Sequence, residues 1–137
     1  MVDALRTSDA WLPELSLVAE GSAGSVVGHV VCSRGCVGPT PTLGLGPLGV
    51  RSDLQNLGIG SALMYAVLGA ADAVGEPLVA LVGDPGYYGR FGFRPARDYG
   101  ITPPVADWAA EFQVRVLSAY DPGIRGAFVY ARPFSDL

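Results

Sequence analysis

Valine and leucine dominate residues 15–20, LSLVAE, and 25–33, SVVGHVVCS, and the glycine-containing GSAG between them has the chemistry of a hairpin turn. Two antiparallel strands are expected there. Residues 34–42, RGCVGPTPT, are rich in turn formers and read as a loop, after which 43–50, LGLGPLGV, reads as a third strand. Pro47 interrupts it. Proline removes a ladder donor, so this strand must bulge or lie where its neighbour has pulled away. From Ile59 the period changes: Leu63, Met64, Val67, Leu68 and Ala71 form an apolar stripe of helical spacing, and Gly75 and Pro77 end it. The continuous apolar run LVALVGD at 78–84 lies between Pro77 and Pro85, as a strand buried on both faces does. Strand, glycine loop, helix and strand make a βαβ unit. The aromatic GYYGRFGF, a loop rich in proline and glycine, and two further β candidates, 111–118 and 126–134, complete the chain. No repeat or linker interrupts residues 1–137, which read as one domain.

Composition narrows the function. Half of the 137 residues are hydrophobic and 16% are charged, too apolar for disorder, while no sustained uncharged run approaches the ~18 residues of a membrane span. The start lacks a cationic region followed by an apolar block, so no signal peptide is read and the cytoplasm is expected. Nine basic against 13 acidic residues, with no basic stripe, argue against nucleic acid. Cys32 and Cys36, with a single histidine in the chain, cannot assemble four zinc ligands. No metal is expected, and the cysteines read as half-buried thiols in a reducing compartment.

Two glycine runs compete for a ligand. GLGPLG at 44–49 matches the dinucleotide fingerprint by letter but lies inside a strand, carries Pro47 and is followed by a turn rather than a helix. QNLGIGSA at 55–62 does stand where a helix begins. Gly58 and Gly60 let the backbone approach a ligand, and the first-turn amides with the positive helix end suit an anion such as a pyrophosphate. No Lys-Ser/Thr pair follows, so it is not a P-loop. A tight turn with close helix packing stays open as the alternative.

LGPLGVRSDLQNLGIGSALMYAVL resembles the acetyl-CoA signature of the GCN5-related N-acetyltransferase (GNAT) family, in which a strand is followed by Q/R-x-x-G-x-G/A at a helix start. Gln55, Gly58 and Gly60 fill those positions. Downstream, GDPGYYGRFGFRPA resembles that family's second marker, a tyrosine four residues before Gly-Phe, with Tyr88, Gly92 and Phe93 in place. The likeness runs from about residue 15 to the C-terminus and is nearest to small bacterial acetyltransferases. It implies an α/β fold built on a central, mostly antiparallel twisted sheet, splayed between strands 43–50 and 78–84.

The resemblance also implies chemistry: an acetyl-CoA-dependent N-acetyltransferase in which an amine attacks the thioester directly, with both substrates bound. The cofactor would be held by Leu48, Gly49, Val50, Gln55, Asn56, Leu57, Gly58, Ile59, Gly60 and Ser61. A backbone N–H of the third strand would polarise the thioester carbonyl. Tyr88 would protonate the departing thiolate; a core aromatic packed with Tyr87, Phe91 and Phe93 is its alternative role. No general base declares itself. Glu20, His29, Asp84 and Glu111 are candidates by type only, and His29 reads foremost as a satisfied, partly buried imidazole. The acceptor would be a small-molecule or peptide amine.

The chain departs from the family at its start, where only 14 residues precede the first hairpin and VDALRTS looks like the tail of the second helix. The first strand and first helix read as absent, which would expose the edge of strand 15–20 and remove one wall of the usual acceptor pocket. A homodimer covering that side is expected. An acyl-CoA-binding or regulatory domain without efficient transfer is the alternative function.

Overall fold

Eight strands in a mixed sheet are seen in the computed structural model, which describes residues 15–21, 24–55 and 58–130. They are Ser16–Glu20 (β1), Val26–Val37 (β2), Thr40–Val50 (β3), Leu78–Val82 (β4), Arg94–Pro95 (β5), Ile101–Thr102 (β6), Phe112–Val116 (β7) and Gly126–Tyr130 (β8). Two α-helices, Ile59–Ala73 (α1) and the short Pro85–Tyr88 (α2), accompany them. The spatial order is β5-β7-β4-β3-β2-β8-β6, with β1 paired to β2. β3–β4 and β6–β8 are parallel and the other pairs antiparallel, so the sheet is mostly antiparallel with a parallel pair at its middle. The expected VDALRTS helix tail lies outside the described residues. Among those residues, no helix is long and apolar enough to cross a membrane.

The helix follows its sequence pattern closely. Leu63, Met64, Val67, Leu68 and Ala71 are the buried residues of α1, which packs with Val30, Cys32, Leu43, Val79 and Phe93 in one core cluster. A second cluster, with Phe112, Phe128, Ile101 and Leu78, forms a separate core. The run 78–81 is buried throughout, as its continuous hydrophobicity requires, although the strand stops at Val82 rather than 84. Asp84 ends it by capping α2, its Oδ1 accepting from the Gly86 N–H at 2.9 Å.

The expected loop 34–42 is instead strand for most of its length. β2 runs on to Val37, pairs Val37 with Thr40 across Gly38-Pro39, and returns as β3. Gly38 has φ +55, the conformation that a two-residue hairpin with glycine first needs. Gly35 is a packing device rather than a turn: a Cβ there would lie 2.6 Å from Phe128 Cζ on β8. Pro41 is tolerated because β3 pairs with β4 only at Leu43↔Val79 and Gly44↔Ala80, leaving its outer edge without a ladder at 41. Arg34 fastens this extension to the end of the βαβ unit, donating to Glu76 Oε1 and Oε2 at 2.8 and 3.0 Å and to the Thr42 carbonyl at 3.0 Å.

The two cysteines differ more than their sequence suggests. Cys36 is half-buried, but Cys32 is fully buried, and burial first, then the Glu76 carboxylate, pushes its thiol up to about 12. Iodoacetamide applied to the native protein is expected to label Cys36 and to spare Cys32, read by peptide mass spectrometry. Equal labelling of both would show that β2 opens readily.

Candidate active site

The site begins where β3 and β4 part. After Gly44↔Ala80 their parallel ladder stops, while β4 goes on to pair with β7 through Val82 and β3 goes on to pair with β2 through Val50. The edge of residues 45–50 that faces β4 therefore carries no strand. Opposite Val31, β3 carries an extra residue: Val30 pairs with Leu48 and Cys32 with Leu45, which sets Gly46 and Pro47 against one residue. This is the bulge that the proline demanded, and Gly46 takes φ +151 within it.

Beyond the bulge a cleft of ≈ 250 Å³ opens. Its floor is Leu48, Gly49 and Val50 of β3, its far end is Leu54, Gln55, Ile59 and Gly60, and Tyr87 covers it. Gln55 ties the end to the floor through Nε2 and the Val50 carbonyl, 3.3 Å apart. Asn56 and Leu57 lie outside the described residues, and Ser61 sits half-buried in the first turn of α1 without being part of the cleft wall. Gly58 and Gly60 are glycines for different reasons. Gly58, the N-cap, has φ +85 and open space around it, so the backbone requires it. Gly60 is required by space: a Cβ would lie 2.9 Å from Tyr87 Oη.

Among the described residues, no side chain caps the start of α1. Gly58 offers no side-chain cap and the first turn holds no acidic residue, so its leading amides face the cleft end without an intrahelical acceptor. Their partial positive charge, added to the helix dipole, favours an anion at that place.

Two tyrosines bridge the gap. Asp84 starts α2, whose helical turn puts Tyr87 and Tyr88 side by side, with ring centroids 4.9 Å apart and nearly perpendicular planes. Tyr87 reaches across to α1, stacks edge-on to Phe91 at 5.5 Å and lies under the Arg90 guanidinium at 4.8 Å. Tyr88 packs instead against the end of β4, where a Cβ on Gly83 would meet its Cε2 at 2.5 Å, and against Phe93. Burial, then the neighbouring Tyr87, raises the Tyr88 phenol above its usual range. Tyr88 thus keeps its proton beside the end of β4, while the cleft wall is Tyr87, a residue that the spacing to Gly92-Phe93 passed over. Only the doubled tyrosine hinted at it.

The four candidate bases separate. Asp84 is spent on capping α2, and Glu20 and Glu111 are exposed, the backbone carbonyl of Glu111 accepting from the Gly83 N–H at 3.0 Å. His29 is half-buried and lines a second cavity of ≈ 310 Å³ together with Gly49 and Val50. Of the expected satisfied, partly buried imidazole the partial burial is seen, and among the described residues no hydrogen bond or ion pair reaches His29. Nor do those residues contain a group of three His, Cys, Asp or Glu side chains placed to hold a metal ion.

A mixed sheet opened at its parallel pair, with a bare helix start closing the opening, is the architecture of an acyl-CoA N-acyltransferase. The chain belongs to the GNAT acetyltransferases: the Acetyltransferase (GNAT) family model matches residues 2–93. Among its relatives is the N-acetyltransferase YhbS of Escherichia coli K12, 30% identical over 124 residues, which make up 88% of this chain and 74% of YhbS. The crystal structure of E. coli YhbS in complex with CoA matches with a TM-score of 0.90 at 29% identity, covering 98% of this chain and 75% of that one. A GNAT family acetyltransferase from Brucella melitensis, solved in complex with acetyl-CoA, matches at 0.76 and 34% identity, covering 97% and 75%. Family, sheet and acetyltransferase class are those that the two sequence motifs implied.

Proposed function

We propose that the protein transfers the acetyl group of acetyl-CoA to a primary amine by direct attack within a ternary complex. The observation that carries this reading is the parting of β3 from β4 after Gly44, which leaves Leu48–Val50 free to pair with an acyl arm in a cleft that ends on the bare start of α1. The pantetheine would take the place of the missing strand, bonded to the backbone of 48–50, and the pyrophosphate would lie on the amides that open α1, with Gln55 holding the turn between them. The relatives bound to CoA and to acetyl-CoA support the same cofactor here.

Catalysis then rests on positioning and proton handling. The amine nitrogen attacks the acetyl carbonyl carbon, whose oxygen is polarised by a backbone N–H of β3. As the C–S bond breaks, Tyr88 gives its proton to the sulfur. Burial suits Tyr88 to that task, since it opposes formation of the phenolate until the thiolate is there to receive the proton.

The first test is thermal unfolding with and without acetyl-CoA. At 100 times its dissociation constant the ligand is expected to add about 2.7 kcal/mol of stability, as a saturable upward shift. A folded sample that shows no shift would rule the reading out.

A further inference from the structure

We propose that His29 is the proton acceptor for the incoming amine, acting from the face of the sheet opposite α1; this rests on the acetyl-transfer reading above. Strand alternation sets the face. A Cβ on Gly28 would meet Ile59 Cγ2 and Leu63 Cδ1, each at 3.1 Å, and Val30 lies in the core cluster of α1, so His29 between them points the other way.

Register sets the depth. His29 pairs with Gly49 of β3, and a Cβ on Gly49 would lie 2.8 Å from the imidazole Cε1 and 3.3 Å from Nε2. The ring therefore rests on the backbone of Gly49, between Leu48 and Val50, the segment that floors the donor cleft. Gly49 and Val50 border both cavities, so the thickness of one strand separates the place of the acyl arm from the imidazole. Any side chain at 49 would displace the ring from that position.

Among the described residues, no side chain engages the imidazole. Its cross-strand partner on β1 is the exposed Val18, and Val27 of its own strand lines the same cavity. Among the described residues, the charged groups on this side are Arg51 and, at the end of β1, Glu20. Arg51 lines the cavity, but Asp53 engages its guanidinium through two bonds of 2.7 and 3.1 Å; Glu20 is exposed and pairs with Val26. Among the described residues lining this cavity, His29 is the one titratable side chain with no other task.

The protons balance. His29 takes one proton from the ammonium form of the acceptor, and the freed lone pair forms the C–N bond as the C–S bond breaks. The second nitrogen proton replaces the one that Tyr88 gave to the sulfur, and the imidazolium returns its own to solvent through the open cavity. One proton is released per amide and thiol formed.

The test compares two probe acceptors at saturating acetyl-CoA: benzylamine, an ammonium ion at neutral pH, and aniline, which is already neutral. His29→Gln is expected to lower kcat/KM for benzylamine about 10²-fold or more and to move the acid limb of its pH profile up to the ionisation of the amine itself, while aniline loses less than about tenfold. Acetyl-CoA stabilisation is expected to be the same in the variant, which separates this result from misfolding. As His29 is the chain's only histidine, diethyl pyrocarbonate gives a second reading on the native protein, with activity expected to fall in step with carbethoxylation. Equal losses for both amines, an unchanged pH profile, or a histidine that resists the reagent in the native state would overturn the assignment. Wild-type protein that acetyl-CoA does not stabilise would overturn the transferase reading itself, and the role of His29 with it.

Discussion

Replacing Tyr88 with Phe is expected to lower kcat about 10²- to 10⁴-fold, the usual range for loss of a positioned general acid. The dissociation constant for acetyl-CoA, measured by the thermal shift or by titration, is expected to stay unchanged. The asymmetry follows from where the ring sits. Tyr88 is held by Gly83, Phe93 and Tyr87 through its carbon skeleton, all of which phenylalanine keeps, and only the proton is lost. Tyr87→Phe has the reverse signature. Its hydroxyl stands over Gly60 at the closed end of the cleft, so that change is expected to weaken acetyl-CoA binding and leave turnover at saturation nearly intact. If the kinetic loss fell on Tyr87 and the binding loss on Tyr88, the acid would be the tyrosine of the cleft wall, and the spacing to Gly92-Phe93 would have misled.

The largest loss of stability is expected from Phe128→Ala, about 3–5 kcal/mol as for other buried aromatic truncations. Phe128 is fully buried and touches three parts of the sheet at once. Its ring lies against Gly35 of β2, against Phe112 of β7 at 5.6 Å and against Tyr130 of its own strand at 4.8 Å. From the side of β2 and β3 nothing can fill the void, because the facing positions, Gly35 and Gly44, are glycines without side chains to move. Denaturant unfolding checks the size of the loss. A cost below about 1 kcal/mol would mean that this face of the sheet repacks freely.

What the sequence revealed of the fold depended on the reach of each signal. The stripe Leu63, Met64, Val67, Leu68, Ala71 has one helical explanation, and the run 78–81 has one strand explanation, and both are seen. Local patterns set local elements. The failures lie where a residue answers to a distant partner: Gly35 reads as a turn former, yet it is glycine because Phe128 lies across it from a strand that begins at Gly126. β5 and β6 are two residues long and carry no period to read. At the site the same division holds. Gly58 and Gly60 were legible through their spacing to Gln55, whereas the approach of Tyr87 to Gly60 and of His29 to Gly49 are cross-element contacts that only the fold creates.

The long β2 has a consequence for how the chain assembles. Its first half pairs with β1 on one edge and Gly28–Val37 pair with β3 on the other, contacts between neighbours in sequence whose closure entropy is small. Its last residues, Gly35–Val37, wait for Phe128–Tyr130 of β8, about ninety residues further along the chain. During synthesis the hairpins and the β3-α1-β4 unit can form as they emerge, but the face that receives Phe128 stays open until β8 has been made. The growing protein therefore carries an unfinished, apolar sheet surface until Phe128 emerges, and the docking of β8 is the event that completes this core.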